Sequence, residues 1–281
     1  MIIERARQAL RRRVRRFWEP TVLWARSRGA VDGYVCREVL GSRMYLDVSD
    51  PGISRDLLIH GIREDWAIGV MRETLRPGQT VVDVGANIGY YVLFEASLVG
   101  PRGKVYGIEP VPDNFSLLER NVALNAYDTI ELHRFAVSEA AGRSVMHLSH
   151  LRNWHAMTPV QGTGRTIEVE VRPLDAFLEG KPFPALVRMD VEGHEYEILR
   201  GMQRTIAEAP ELTLFIEVHP HVIGAEKMRS MLTLLSTHGY DVARFASRRG
   251  EERTSTAQML ADEQFLAGAR GGALVFFARR P

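Results

Sequence analysis

A short apolar strand that runs straight into a glycine-bearing turn and then a helix constrains this chain more than any other feature. Val81-Val82-Asp83-Val84 reads as a buried strand, Gly85-Ala86-Asn87-Ile88-Gly89 as a tight turn, and Tyr90 to Leu98 as the helix that follows. An apolar strand of this kind is covered on both faces only within a parallel sheet flanked by helices. Glycines in the turn let the backbone bend sharply and approach a ligand without a Cβ in the way. The helix points its positive end at the same place.

The same alternation continues along the chain. Val105 to Glu109 and Thr129 to Val137 read as the next two strands, separated by a helix from Asp113 to Asn125 with Asp113 as its N-cap. Ala185 to Asp190 and Leu212 to Val218 are further strands, with a helix near Glu195 to Met202 between them. A helix from Ala225 to His238 leads to the last two strands, Tyr240 to Phe245 and Ala273 to Ala278. Seven strands in this alternation imply right-handed βαβ units and a doubly wound, mostly parallel α/β sheet. Ser144 to Leu148 and Thr166 to Val171 are strand-like too, and flank a polar stretch with Asn153, Trp154 and His155. They are read as an inserted hairpin or flap over about 144–171.

Before the sheet the chain is of another kind. Residues 29–76 are expected to form an extension, with a hairpin of Tyr34 to Val39 and Arg43 to Leu46 turning at Gly41-Ser42, and a helix from Asp65 to Leu75. The sheet domain then occupies 77–281. In residues 1–28 there are nine Arg and two Glu, a local charge of +7, which leaves a local −6 on the remainder. Ile3, Ala6, Leu10, Val14 and Phe17 fall within an arc of about 80° of a helical wheel, opposite Arg5, Arg12, Arg15 and Arg16. The arm is expected to be a basic amphipathic helix ending near Glu19-Pro20. It suits either the surface of a membrane or docking on its own domain or a second subunit in a homo-oligomer. The acidic body speaks against a nucleic-acid partner.

There is no run of about 18 apolar residues and no secretory leader pattern, and the single cysteine, Cys36, cannot form an intramolecular disulfide. The expectation is a cytoplasmic protein, at the inner face of the membrane if the arm binds lipid.

The acids at the strand ends indicate the ligand. Asp83 would repel the pyrophosphate of a dinucleotide, and the spacing of Gly85 and Gly89 is G-x-x-x-G, not the dinucleotide G-x-G-x-x-G. Such an acid suits a cofactor with a cationic amino-acid end, such as S-adenosylmethionine. Glu109 ends the second strand, 20 residues beyond Gly89, where a carboxylate accepts hydrogen bonds from two ribose hydroxyls.

These residues resemble the FkbM family of S-adenosylmethionine-dependent methyltransferases. The likeness rests on Val82 to Tyr90, Gly107-Ile108-Glu109-Pro110, Val171 to Phe177, Arg188-Met189-Asp190-Val191-Glu192-Gly193-His194-Glu195, Phe215 to Pro220, and the leader Asp50 to Ser54. The resemblance implies a Rossmann-like class I methyltransferase fold and O-methylation of a hydroxyl on a sugar, glycolipid or secondary metabolite. It implies cofactor contacts at Asp83, Gly85, Asn87, Gly89 and Glu109. Ala86, Pro110 and Asn114 complete the expected cofactor set. Arg188 stands where the family often has lysine.

Methyl transfer needs alignment of acceptor and donor, and a base or metal to activate an alcohol. Ligands in a doubly wound sheet meet beyond the carboxyl ends of the strands. Asp190, Glu192 and His194 follow one strand, and Glu217 and His219 end the next. His194 or His219 is the expected base. Asp190, Glu217 and His219 are the candidate ligands for Mg²⁺ or another divalent cation. Asp190 and Glu192 join the two histidines as catalytic candidates, and Glu192 and Glu195 could instead accept backbone N–H bonds at a helix start. The alternatives are an RNA or protein methyltransferase on the same fold, and a nicotinamide-dependent oxidoreductase.

Overall fold

The structure is a computed structural model and describes residues 20, 23, 24, 27–149, 155–157 and 165–280. It divides into two compact units between Glu64 and Asp65. The expected arm helix, with Phe17 and Trp18, lies outside the described residues. No helix among the described residues is long and apolar enough to cross a membrane.

In the first unit β1 (Tyr34–Val39) and β2 (Ser42–Asp47) pair antiparallel. Leu40 and Gly41 make the turn, with φ of 50° and 83°. Two consecutive residues at positive φ match the right-handed twist of the flanking strands. The turn is therefore one residue earlier than expected, and Ser42 is already paired with Val39. The Asp50 carboxylate then accepts from the Gly52 and Ser54 amides at 3.0 and 2.9 Å. It thereby holds the start of a helix, Ile53–His60, which the apolar periodicity had not indicated.

The second unit begins with the helix Asp65–Thr74, which the sequence reading had grouped with the extension. Strands β3 (Thr80–Val84), β4 (Lys104–Ile108), β5 (Ile130–His133), β6 (Ala136–Val137), β7 (Gly142–His147) and β8 (Thr166–Arg172) follow. Then come β9 (Leu186–Met189), β10 (Thr213–Val218), β11 (Tyr240–Ser247), β12 (Gly250–Glu252) and β13 (Ala273–Arg279). The main sheet has the order β12-β11-β13-β10-β9-β3-β4-β5. Strands β10, β9, β3, β4 and β5 are parallel neighbours, while β13 runs antiparallel between β10 and β11. The expected seven strands are present, with the three-residue β12 added at one edge.

The central strands are buried on both faces, as their continuous apolar runs require: every residue of β9 is buried, and all of β3 after Thr80. The helix Tyr90–Val99 is apolar nearly all round and sits deep against this sheet. The helix expected from Asp113 is Pro112–Ala123 with Val111 as its N-cap. Pro112 presets the helical φ and needs no amide partner at the first position, so Asp113 falls inside the first turn.

The strand expected over Thr129 to Val137 divides. Its first part extends the main sheet as β5, and its last two residues pair with β8 in a separate sheet, β6-β8-β7. Strands β7 and β8 form the expected inserted hairpin. Its inner side packs Val111, Ala136, Met146, Val169 and Val171 into a small apolar cluster. Successive strands are added outward from β3 through β4 to β5, and then outward on the other side from β9 to β10. The strand order thus reverses between β3 and β9, which opens a crevice at the carboxyl ends of the strands.

Candidate active site

One cavity occupies that crevice. Gly85 and Asn87 from the turn after β3 border it, as do Glu109, Pro110 and Asn114 after β4 and Asp190, Glu192 and His194 after β9. Met146 of the hairpin, with His155 and Met157, covers one side. Of the sequence-predicted groups, Gly85, Asn87, Glu109, Pro110, Asn114, Asp190, Glu192 and His194 thus meet at one place.

Glu109 is fixed tightly. Its Oε2 accepts the Asn87 amide at 2.9 Å and its Oε1 the Val111 amide at 2.8 Å. Burial pushes its carboxyl up to about 7 against the lowering effect of those two amides. Each oxygen retains a second lone pair, so the group still suits a vicinal diol. Asn114 is buried beside it, and Ile108, Val111, Phe135 and Val137 supply an apolar wall for a flat ring.

Asp83, expected to meet the cationic end of the cofactor, faces the core instead and does not border the cavity. Strand pairing places it in register with Arg188. Arg188 Nη1 donates to Asp83 Oδ1 at 2.9 Å and Nη2 to Asp190 Oδ2 at 3.1 Å. The guanidinium lies over the Tyr91 ring at 3.9 Å. An arginine in the middle of β9 cannot stay buried without such partners, and Asp83 is consumed in supplying one. Asp190 and Glu192, with Glu109, are the acids that reach the cavity. Ala86 and Gly89 do not border it either: the Ala86 amide bonds to the Ile108 carbonyl at 3.0 Å, and Gly89 caps the following helix with φ of 92°. Gly85 has its α-carbon against the Asp190 carbonyl, so it serves strand packing as well as the turn.

The chemical half gathers around two histidines. His194 Nε2 lies 3.0 Å from Ser138 Oγ, and Nδ1 lies 3.6 Å from Glu197 Oε2. Burial lowers the pKa of His194, so its neutral imidazole can take a proton. His219 is different. Its Nε2 is 3.4 Å from Glu192 Oε2 and 3.5 Å from Glu217 Oε1, and its Nδ1 is 3.6 Å from Glu195 Oε1. Burial opposes the charged imidazole, but these carboxylates prevail and hold it at about 12. An imidazolium so held cannot serve as a general base. Glu192 is raised to about 8, chiefly by burial.

Of the expected metal triad, Asp190 and His219 are together, but the third close carboxylate is Glu192 in place of Glu217. Glu192 reaches in because it takes a positive φ of 53° immediately before Gly193. Glu195 does accept a backbone bond, from the Gly193 amide at 3.1 Å. Ser138, Glu195 and Glu197 were not expected near the chemistry. Ser138 reaches His194 across 56 residues only because β6 pairs with β8, which no local pattern announces. His155, from the polar stretch between the two hairpin strands, borders the cavity too and accepts the Ser149 amide at 3.0 Å. Asn153 and Trp154 lie outside the described residues.

A family model for the methyltransferase FkbM domain matches residues 83–242, more than half of the chain. The chain belongs to the FkbM methyltransferase family. This FkbM-family chain is 26% identical over 195 residues to the hexuronic acid methyltransferase AglP of Haloferax volcanii, covering 64% of this chain and 76% of that one. It is 28% identical over 200 residues to the 31-O-demethyl-FK506 methyltransferase FkbM of Streptomyces tacrolimicus, covering 60% and 75%. It is 26% identical over 197 residues to the methyltransferase sdnD of Sordaria araneosa, covering 58% and 74%. The matched span contains Asp83, Glu109, Asp190, His194 and His219, so both halves of the site belong to the family domain. The oxidoreductase alternative gains nothing from these matches.

Proposed function

We propose that this methyltransferase places the methyl group of S-adenosylmethionine on a hydroxyl of a small acceptor, a sugar or a secondary metabolite. The observation that carries the reading is one shared cavity: Glu109 and Asn114 line it on one side, and Asp190, Glu192 and His194 on the other. The donor set fits the cofactor: a buried carboxylate for a ribose diol and an apolar wall for an adenine. Two of the relatives are named for methylation of a hexuronic acid and of 31-O-demethyl-FK506, which supports a small oxygen-bearing acceptor here.

Bound S-adenosylmethionine supplies a methyl group on a sulfonium; transfer forms a carbon–oxygen bond, breaks the carbon–sulfur bond and leaves a neutral thioether. The protein residues prepare that transfer. Glu109 and Asn114 hold the nucleoside end. His194, bordering the cavity, takes the proton that the acceptor hydroxyl loses. Glu197 faces Nδ1 and orients the ring, which makes Nε2, 3.0 Å from Ser138 Oγ, the nitrogen that takes the proton. Met146, His155 and Met157 close one side and exclude water from the sulfonium.

The test is calorimetric titration with S-adenosylhomocysteine, NADH as control, followed by methyl transfer from labelled S-adenosylmethionine to a panel of sugars and uronic acids. Micromolar binding of the first ligand alone and an alkali-stable methyl ether are expected. Binding of NADH instead would overturn the cofactor, and an alkali-labile methyl ester would overturn the hydroxyl acceptor.

A further inference from the structure

We propose that Asp190, Glu192 and His219 hold a divalent cation at the chemical end of the cavity, where it binds the acceptor hydroxyl oxygen. The proposal rests on the methyltransferase reading for its role, but not for its existence. Each of the three residues offers one ligand atom, and these atoms lie within 4.8 Å of one another. A single ion with bonds of about 2.0–2.4 Å spans such a set after small side-chain movements. Glu217 Oε1 lies 3.5 Å from His219 Nε2 and adds negative charge beside the site.

The surroundings are those of a built site. Metal-bound histidines direct their second nitrogen at a carboxylate, which orients the ring and raises its basicity. His219 does this: Nε2 faces Glu192 and Glu217, while Nδ1 faces Glu195. Glu195 is fully buried, and its Oε2 has no hydrogen-bond partner. A buried, half-satisfied carboxylate behind an imidazole is costly unless positive charge lies close by. Asp190 is held from behind by Arg188 through Oδ2, which leaves Oδ1 for another partner. Four carboxylates (Asp190, Glu192, Glu195 and Glu217) converge on one imidazole, with Arg188 opposing one of them. Ion binding replaces the imidazole proton.

One imidazole with several carboxylate oxygens suits Mn²⁺, or Mg²⁺ with more retained water. Asp190 and Glu192 border the cavity, so the open coordination positions face the acceptor. A cation there lowers the pKa of a bound hydroxyl, and the proton released goes to His194.

The test uses Mn²⁺ alone on the chelator-treated full chain, with loss of the free-ion electron paramagnetic resonance signal as readout. One Mn²⁺ per chain is expected. Glu192→Gln and His219→Gln should each weaken it at least about tenfold, and Glu195→Gln, acting only through the ring, about 10–100-fold. S-adenosylhomocysteine binding, measured in the same variants, reports folding and the cofactor site separately. Loss of Mn²⁺ binding with retained S-adenosylhomocysteine binding would support the site. No Mn²⁺ binding by the unaltered chain, or binding indifferent to all three substitutions, would overturn it. Mn²⁺ binding without S-adenosylhomocysteine binding would overturn the methyltransferase reading and leave the cation site standing.

Discussion

Arg188 donates to Asp83 across the β3–β9 ladder at 2.9 Å, with side-chain exposures of 5% and 0%. The pair stabilises the sheet only while both members are present, because each is far from water. Arg188→Met strands the Asp83 carboxylate, whose Oδ2 already has no hydrogen-bond partner. A loss of about 3–5 kcal/mol at neutral pH is expected in urea unfolding. Arg188→Lys keeps the charge but cannot bridge both acids, so it should lose about 1.5–3 kcal/mol, one bond to a charged group. The double variant Asp83→Asn, Arg188→Met should recover part of the larger loss. Unaltered stability in Arg188→Met would show that the pair contributes nothing.

Glu95 lies fully buried beside this pair, and neither of its oxygens has a hydrogen-bond partner. Burial raises its pKa well above the usual range, the Asp83 carboxylate adds to this, and Arg188 opposes. Since the folded value is raised, the stability this group contributes is fully present below the unfolded value of about 4.3. It is lost as pH rises toward the folded value. Glu95→Gln removes the titration while keeping the shape. Its stability relative to the unaltered protein should therefore improve with pH, by up to about 1.4 kcal/mol per unit above the unfolded value. Urea midpoints at pH 5 and pH 8 check this, and a difference that does not change with pH would refute a neutral Glu95.

The parts of this molecule that sequence made legible are those in which one residue's neighbours along the chain decide its environment. The turn from Gly85 to Gly89 follows from an apolar strand meeting a helix start. The hairpin at 144–171 follows from two strand-like runs around a polar stretch. The alternation of β and α segments orders the main sheet well enough to bring Glu109, Asp190 and His194 to one crevice. What stayed hidden depends on which strands lie side by side. Asp83 read as a cofactor ligand because its partner, 105 residues away, becomes visible only when β9 is placed next to β3. Glu192 replaces Glu217 in the tight cluster because of a positive φ, which residue type alone does not reveal. Ser138 needed the division of one predicted strand between two sheets.

Gly85 has φ of 83°, and a Cβ there would lie 2.2 Å from the Asp190 carbonyl oxygen. The obstacle is backbone, at the end of a buried strand, and cannot rotate away. Gly85→Ala should therefore combine the strain of a positive φ with a displacement of Asp190, for a loss of about 2–4 kcal/mol. Gly180→Ala is the control: its φ is 72°, but nothing lies within 4 Å of the added methyl. About 1 kcal/mol is expected there. Thermal melts of the two variants decide the matter, and equal losses would show that only the backbone angle counts.

Glu109 links cofactor binding to pH. Its carboxyl is held at about 7 by burial, against an ordinary value near 4.5. Ribose hydroxyls donate to the ionised form and favour it, so binding must pull this pKa down. Below pH 7 the protein has to release a proton before it can accept both hydroxyls. Affinity for S-adenosylhomocysteine should thus be flat above about pH 7 and fall by up to about tenfold per unit below it. Calorimetry in buffers of different ionisation enthalpy should register close to one proton released per ligand near pH 6. Glu109→Gln should abolish both the release and the slope. It should also weaken binding at pH 8 by about 10–100-fold, the worth of hydrogen bonds to a charged acceptor. A slope that survives in Glu109→Gln would assign the proton to another group, and an affinity that rises with acid would place the cofactor away from Glu109.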